Sequence, residues 1–249
     1  MANVVKQWKK GVWVGCSHGL HLQESTAKEV LGFISRWKPH TVCHLGDAID
    51  TAAFRSGASG TPDQACPVAP DVDAGMEFLT RIRDASPAIQ RMDYLCGNHE
   101  DRLWRLMASP NAVVAFAATE VVRAIEAKCR RLKAKLTTYS GIWQSVMYGP
   151  YRAMHGVMFG ENAIRDHAEA FGPVIHAHTH RPGVAKGRRS DNPTGYCVGT
   201  LAEVEVDYAK IRRSTTAWAA GMLFGEYCET DAALWLIEKN RNTEWRLPL

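Results

Sequence analysis

The sequence predicts an α/β fold, and three features predict it. Short apolar runs that end on glycine alternate with amphipathic helical stretches through the first half of the chain, and the second half is rich in further strand-like runs. No linker separates the two halves. The 249 residues are therefore expected to form one domain over 1–249, long enough to bury a substantial core.

The first apolar run, 11–15, closes on Gly15 and predicts a buried strand. A helix is predicted over 26–37. Thr26 and Glu29 have capping-box spacing, Ala27, Val30, Leu31, Ile34 and Trp37 form an apolar stripe, and Pro39 stops it. Residues 41–45 predict a second strand running into Gly46 and Asp47. Segment 51–70, rich in Gly, Ala, Ser and Pro, predicts a loop. A helix follows over 72–85 with Phe78, Leu79 and Ile82 on one face, then a third strand over 92–96 ending at Gly97 and Asn98.

The longest helix is predicted over 112–132, where Val114, Ala118, Val121, Ile125 and Leu132 fall near helical spacing. Beyond it, strands are expected at 143–147, 152–155, 174–178, 195–199, 216–224 and 233–237, with one helix over 162–170.

Composition narrows the classes. Hydrophobic residues make up 46% and charged residues 22%, the balance of a globular protein rather than a disordered one. No apolar run is long enough to span a membrane, and residues 1–10 lack the apolar core of a secretory leader. Seven scattered cysteines without CxxC pairs argue against a disulfide framework. The expected setting is reducing and cytoplasmic. A formal charge of +4 suits a phosphate-bearing partner without requiring one.

The histidines carry the chemistry. They recur in segments that combine His with Asp, Asn, Cys or Gly at predicted strand ends: Cys16-Ser-His18, His44-Leu-Gly46-Asp47-Ala-Ile-Asp50, Gly97-Asn98-His99-Glu100, His155-Gly156 and His176-Ala-His178-Thr-His180. Alternation along a strand puts His178 and His180 on one side. Imidazole, carboxylate and amide oxygen together suit a borderline divalent cation such as Zn, Mn or Fe. In open α/β sheets, ligands collect beyond the carboxyl ends of the strands, where Cys16, Asp47 and Asn98 each fall.

In that order these segments resemble the calcineurin-like metallophosphoesterases, whose pattern is DxH, GDxxD, GNHE, a later His, and GHxH. The matching segments run from residue 15 to 180. The resemblance implies a four-layer α/β/β/α sandwich of two mixed β-sheets flanked by helices, the later strands resembling the second sheet. It also implies two divalent metal ions (Mn, Zn, Fe or Ni) and hydrolysis of a phosphoester. His18, Asp47 and His180 would hold the first ion, with position 16 as fourth ligand. Asp47 would bridge to the second ion, held also by Asn98, His155 and His178. His99 would be the catalytic imidazole, oriented by Asp50.

Two positions depart from the family pattern. Ala177 stands where the pattern has Gly, and Cys16 where it has Asp. A thiolate binds zinc or iron well, so Cys16 is read either as a ligand that alters metal preference or as a buried small hydrophobe beside a weakened site. Cys43 and Cys96 are read as packing residues, His21, His40 and His167 as surface or cap histidines, and His44 and His176 as supports for the site.

Several basic residues remain to be placed. Arg123, Lys128, Arg130, Arg131, Lys133 and Lys135 load the end of the long helix, which favours cations in any case and reads as a solvated face. Arg181, Lys186, Arg188 and Arg189 follow the last motif and are better placed to meet a phosphate. Arg212 and Arg213 come later, and Arg102 and Arg105 either line the cleft or form surface ion pairs. Segments 51–70 and 108–150 are candidate lid or insert elements, the alternative for the second being a helix packed on the outer face.

The expected partner is a phosphoester, nucleotides included. Nucleic acid competes as substrate but is less favoured without a dense basic stripe. A degenerate member that binds metal or a phosphorylated ligand without turnover is the other reading, and Cys16 is its only support. No membrane partner is expected, and the oligomeric state is left open.

Overall fold

The computed structural model describes residues 7–139, 144–204, 217–239 and 245. Arg212, Arg213 and the starts of the strands predicted at 143 and 216 lie outside them.

Two mixed sheets form the centre. Four parallel strands, β1 (Lys9–Val14), β2 (Thr41–His44), β3 (Arg91–Leu95) and β4 (Ala134–Thr137), lie side by side in chain order. Two more strands, β10 (Ala220–Tyr227) and β11 (Ala232–Lys239), extend the β1 edge antiparallel, giving the order β11-β10-β1-β2-β3-β4. The second sheet has the order β5-β6-β7-β9-β8, from β5 (Val146–Tyr148), β6 (Tyr151–Ala153), β7 (Val174–His176), β8 (Gly183–Lys186) and β9 (Thr194–Cys197). Within it β6, β7 and β9 are parallel, and β5 and β8 are antiparallel edges.

Alternation along each strand sorts side chains into layers. Val12, Val14, Val42, Met92, Tyr94, Met222 and Phe224 face a core shared with α1 (Glu24–Trp37), α2 (Val68–Asp84), α3 (Asn98–Leu106) and α4 (Ala112–Leu132). Trp13, Cys43, Leu95 and Leu223 face the opposite way and meet Tyr148, Ile175 and Val198 of the second sheet. On the far side, α5 (Ala163–Phe171) packs Ala168 against Met154 and Val174. The result is the expected layering of two mixed sheets flanked by helices.

Some local expectations need correction. The helix predicted from Thr26 starts at Glu24, with Gln23 as its N-cap, so Thr26 and Glu29 are not its capping pair. The 51–70 loop contains 3-10 turns at 52–54 and 62–65, and its end is already α2. Helix α3 and strands β4 and β8 had no sequence expectation. The last two strands do not join the second sheet. They return to the first and cover β1, whose two faces are both buried and whose free edge needs a partner.

The longest helix matches its expected bounds, and Asn111 caps it by accepting the amides of Val113 and Val114. On its buried side, Val122, Ile125 and Cys129 belong to the core under the first sheet, so α4 packs on the outer face. No helix among the described residues is long and apolar enough to cross a membrane.

Candidate metal centre

Because β1, β2 and β3 are adjacent and parallel, the loops that follow them emerge side by side at one edge. The parallel strands β6 and β7 deliver their following loops to the same place. Five loops thereby bring together every site residue expected from the sequence. Cys16, His18, Asp47 and His180 form one cluster of potential ligand atoms, all within 4.8 Å of one another. Asp47, His155 and His178 form a second. Asn98 joins it, with its Oδ1 3.0 Å from His155 Nε2 and 2.9 Å from His178 Nδ1. Asp47 belongs to both clusters.

The backbone is strained where these candidate ligands sit. Cys16, His18, Asp47, His178 and His180 have φ values of 54°, 51°, 52°, 65° and 57°, in the left-handed region that non-glycine residues seldom occupy. Strain at five donors in one spot is a cost that the surrounding hydrogen bonds must offset. The adjacent glycines allow the close approach. A Cβ on Gly46 would lie 2.6 Å from His155 Nδ1, and one on Gly97 would collide with the Asp47 carboxylate.

Glu100 does much of the holding. Its buried carboxyl accepts the amides of Asp47 (3.0 Å), Ala48 (2.7 Å), Ile49 (3.2 Å) and Gly97 (2.6 Å) and the Tyr94 hydroxyl (2.8 Å). It thereby ties the loop after β2 to the start of α3. Asp71, in the first turn of α2, accepts the amides of Asp50 (3.0 Å), Thr51 (2.9 Å) and Leu20 (3.3 Å), joining the loops after β1 and β2. Sequence reasoning missed both roles. Glu100 was recoverable, as an acidic residue at the third position of a helix that begins at Asn98. Asp71 was not, because nothing local links it to residue 50.

His44 also supports the loops. Its Nδ1 accepts the Gly46 amide at 3.3 Å and its Nε2 lies 3.0 Å from the Ser17 hydroxyl. Burial pushes this imidazole down to about 3, so it stays neutral. His167, expected at the surface, is instead fully buried. Its Nδ1 donates to Ala163 O, its Nε2 accepts the amides of Val157 and Met158, and its ring stacks on His176 at 4.1 Å. It anchors the segment just past His155, a job that only the tertiary packing of α5 creates.

The donor set fits cations. His155 Nδ1 lies 2.8 Å from Leu45 O, which leaves Nε2 to face Asn98 Oδ1, Asp47 Oδ2 at 3.2 Å and His178 Nδ1 at 3.2 Å. His18 Nε2 and His180 Nε2 are 3.0 Å apart. Ligands around a tetrahedral ion at ~2.0–2.1 Å stand about 3.3 Å from each other, close to these spacings. Burial lowers His178 to about 4 and takes His180 well below its ordinary value, keeping both neutral and able to coordinate. Burial opposes charge on Asp47 too, but His155 and His99 outweigh it and hold its carboxyl well below the usual range.

Asp50 has a wider role than the one expected. Its Oδ1 lies 3.0 Å from His99 Nδ1 and 3.2 Å from His18 Nδ1. It therefore orients a metal-ligating candidate as well as the imidazole beside the site, a common support for ligating histidines. His99 Nδ1 also reaches Asp50 O at 2.7 Å, and its Nε2 faces Asp47 Oδ2 at 3.8 Å. Burial disfavours charge on His99, yet Asp47 and Asp50 together raise it to about 9.

Cys16 satisfies part of each reading. It is fully buried at the edge of the inter-sheet core, and its Sγ also belongs to the first ligand cluster. Burial and then Asp47 push its thiol well above the ordinary value, and Sγ accepts the His178 amide at 3.3 Å. Ala177, the other departure, turns its methyl into the inter-sheet core. A Cβ at Gly15 would come within 2.9 Å of it, so Gly15 leaves the room that Ala177 uses.

The basic residues divide. Arg102 reaches the site and donates to Asp50 O at 3.0 Å, whereas Arg105 pairs with Asp101 at the surface. Arg181 turns away and donates to Phe159 O and Gly160 O, and Arg189 engages Asp191 and Glu169 O. The segment after His180 is thus occupied in holding its own loops. Arg123 and Arg130 pair along the exposed side of α4 with Glu120 and Glu126.

No model of a known protein family matches the sequence, and no curated protein matches it. Among solved structures, the chain is similar to YfcE, a phosphoesterase from E. coli, at 15% identity and a TM-score of 0.41, covering 93% of this chain and 100% of that one. A second solved structure is similar at 9% identity and a TM-score of 0.41, covering 93% and 99%.

Proposed function

We propose that this chain is a phosphoester hydrolase that works through two divalent cations, one in each ligand cluster. The observation that carries the proposal is Asp47, whose carboxylate is common to a Cys16–His18–His180 cluster and a His155–His178–Asn98 cluster. One carboxylate shared by two sets of nitrogen, sulfur and oxygen donors is an arrangement that would hold a pair of adjacent cations. Such a pair supplies a water of lowered pKa and neutralises charge on a phosphoryl group.

The protein's residues do the rest. Asp47 would hold both cations through its carboxylate. Asp50 takes the Nδ1 side of His99, leaving Nε2 turned toward Asp47 and the reacting group. From there His99 can deliver a proton to the departing alkoxide. The N-terminus of α3, which carries Asn98 and His99, adds a favourable dipole for an anion. A small phosphoester or nucleotide suits the site better than nucleic acid, since Arg123, Arg130, Arg181 and Arg189 are all engaged by neighbouring carboxylates or carbonyls.

Chelation is the first test. Protein stripped of metal should release no phosphate from esters, and Mn, Zn, Fe or Ni should restore release. The reading fails if fully metallated protein cleaves nothing in a panel of monoesters, diesters, nucleotides and nucleic acids.

Cys16 is proposed as a ligand of the first ion, a thiolate replacing a carboxylate at the same charge but favouring softer metals. Cys16→Ala should bind one ion fewer while the Asp47–Asn98–His155–His178 site stays filled. Cys16→Asp should keep both and shift preference from zinc or ferrous iron toward Mn or Mg. Metal analysis of the three proteins decides it, and an unchanged metal count in Cys16→Ala would leave the sulfur a packing group only.

A further inference from the structure

We propose that Arg102 is a substrate-binding residue that grips the third free oxygen of a phosphomonoester dianion, making the site selective for monoesters over diesters. The inference rests on the phosphoester-hydrolase reading and names its substrate class. His99 and Arg102 lie one turn apart on α3, so both side chains rise from the same face. Both converge on one acceptor: the Asp50 carbonyl takes His99 Nδ1 at 2.7 Å and Arg102 Nη1 at 3.0 Å. The guanidinium is thereby fixed beside the imidazole, close enough to oppose its charge.

Like Arg83 and Arg181, Arg102 has no counter-ion among the described residues, but its guanidinium alone of the three reaches the Asp50 loop beside the candidate centre. Among the described residues, Arg55, Arg81, Arg91, Arg105, Arg123, Arg130 and Arg189 each have a carboxylate within ion-pair distance, and Arg102 has none. Even the neighbouring Asp101 pairs with Arg105 at 2.7 Å instead. Of five guanidinium N–H groups, the Asp50 carbonyl uses one. A partly exposed, positioned cation with spare donors at the edge of a ligand cluster suits an anion.

The oxygen count selects which anion. A phosphodiester has two unesterified oxygens, and two cations can engage both. A phosphomonoester has a third, carrying further negative charge, and it needs another donor. Arg102, on the His99 side, can supply it. Lysine would not be equivalent, because one ammonium on a flexible stem cannot hold the Asp50 carbonyl and an oxyanion in the same fixed geometry.

Binding to the metal-loaded protein tests this without depending on turnover. Inorganic phosphate serves as the probe for the monoester dianion and dimethyl phosphate as the probe for the diester, each measured by calorimetry. Arg102→Gln should weaken phosphate by about tenfold or more, a loss of ~1.4 kcal/mol, while dimethyl phosphate weakens less than about threefold. Arg102→Lys should recover part of the phosphate affinity, and both variants should keep the wild-type metal count. In turnover, the ratio of monoester to diester kcat/KM should fall in Arg102→Gln by a similar factor. Equal weakening of both probes, no weakening of phosphate, or loss of metal in Arg102→Lys would overturn the assignment and leave Arg102 a brace for the Asp50 loop. Those results would leave the hydrolase reading intact if the wild type still releases phosphate in a metal-dependent way. A metallated wild type that binds neither probe and cleaves no ester would sink both.

Discussion

Asp47→Asn is expected to empty both metal positions, whereas His99→Ala is expected to keep both ions and lose turnover. The contrast follows from where the two side chains stand. Asp47 is the one carboxylate common to both clusters; its oxygens face His155 and His99, and Glu100 grips its backbone amide. Replacing one of its oxygens with an amide nitrogen removes the negative charge that the two proposed cations would share. His99 contributes only to the group with His18 and Asp50, and its Nδ1 is engaged by Asp50. Removing it should cost a proton donor, about 10²–10⁴-fold in kcat. Metal analysis and kinetics on the same preparations read both effects. Equal metal loss in the two variants would show that His99 is itself a ligand.

Glu100 should prove the residue on which the centre's geometry depends most. Glu100→Ala strands the amides of Asp47, Ala48, Ile49 and Gly97 and the Tyr94 hydroxyl in a fully buried place. Leaving several buried donors without an acceptor costs on the order of 3–5 kcal/mol. In a chain of this size that lowers the melting temperature by roughly 10 °C. Glu100→Gln keeps the volume but turns an amide NH2 toward N–H donors, so it should fall between wild type and Glu100→Ala. Both should also bind metal more weakly, because Asp47 sits on the loop that Glu100 holds. A Glu100→Ala protein with unchanged melting temperature and metal count would mean the loop after β2 is held by the Cys16 and His18 amides on Gly46 O and Asp47 O and by Asp71 further along, without this carboxyl.

The two results would also separate what was legible in the amino-acid order from what was not. The candidate ligand cluster was legible, because each donor sits within a few residues of a strand end and its glycine. Cys16, His18, Asp47, Asp50, Asn98, His99, His155, His178 and His180 all come together as that local grammar implies. The α/β alternation and the bounds of α4 were legible for a similar reason, since apolar period and capping are local signals.

Roles that depend on partners far along the chain had to wait for the tertiary structure. Asp71 reaches Asp50 from α2, His167 reaches Val157 from α5, and β10 and β11 return to cover β1. None of these pairings has a local pattern, because each is chosen by which unsatisfied amide or open strand edge the finished fold leaves nearby. The same reason divides the arginines: Arg181, next in sequence to a ligand, is drawn off by the Phe159 and Gly160 carbonyls, while Arg102 is drawn in by the carbonyl of Asp50. The order of residues determined which donors this protein could offer a cation. Packing alone decided which buried groups hold them in place, because a hydrogen bond across tens of residues is specified by three-dimensional proximity and not by spacing along the chain.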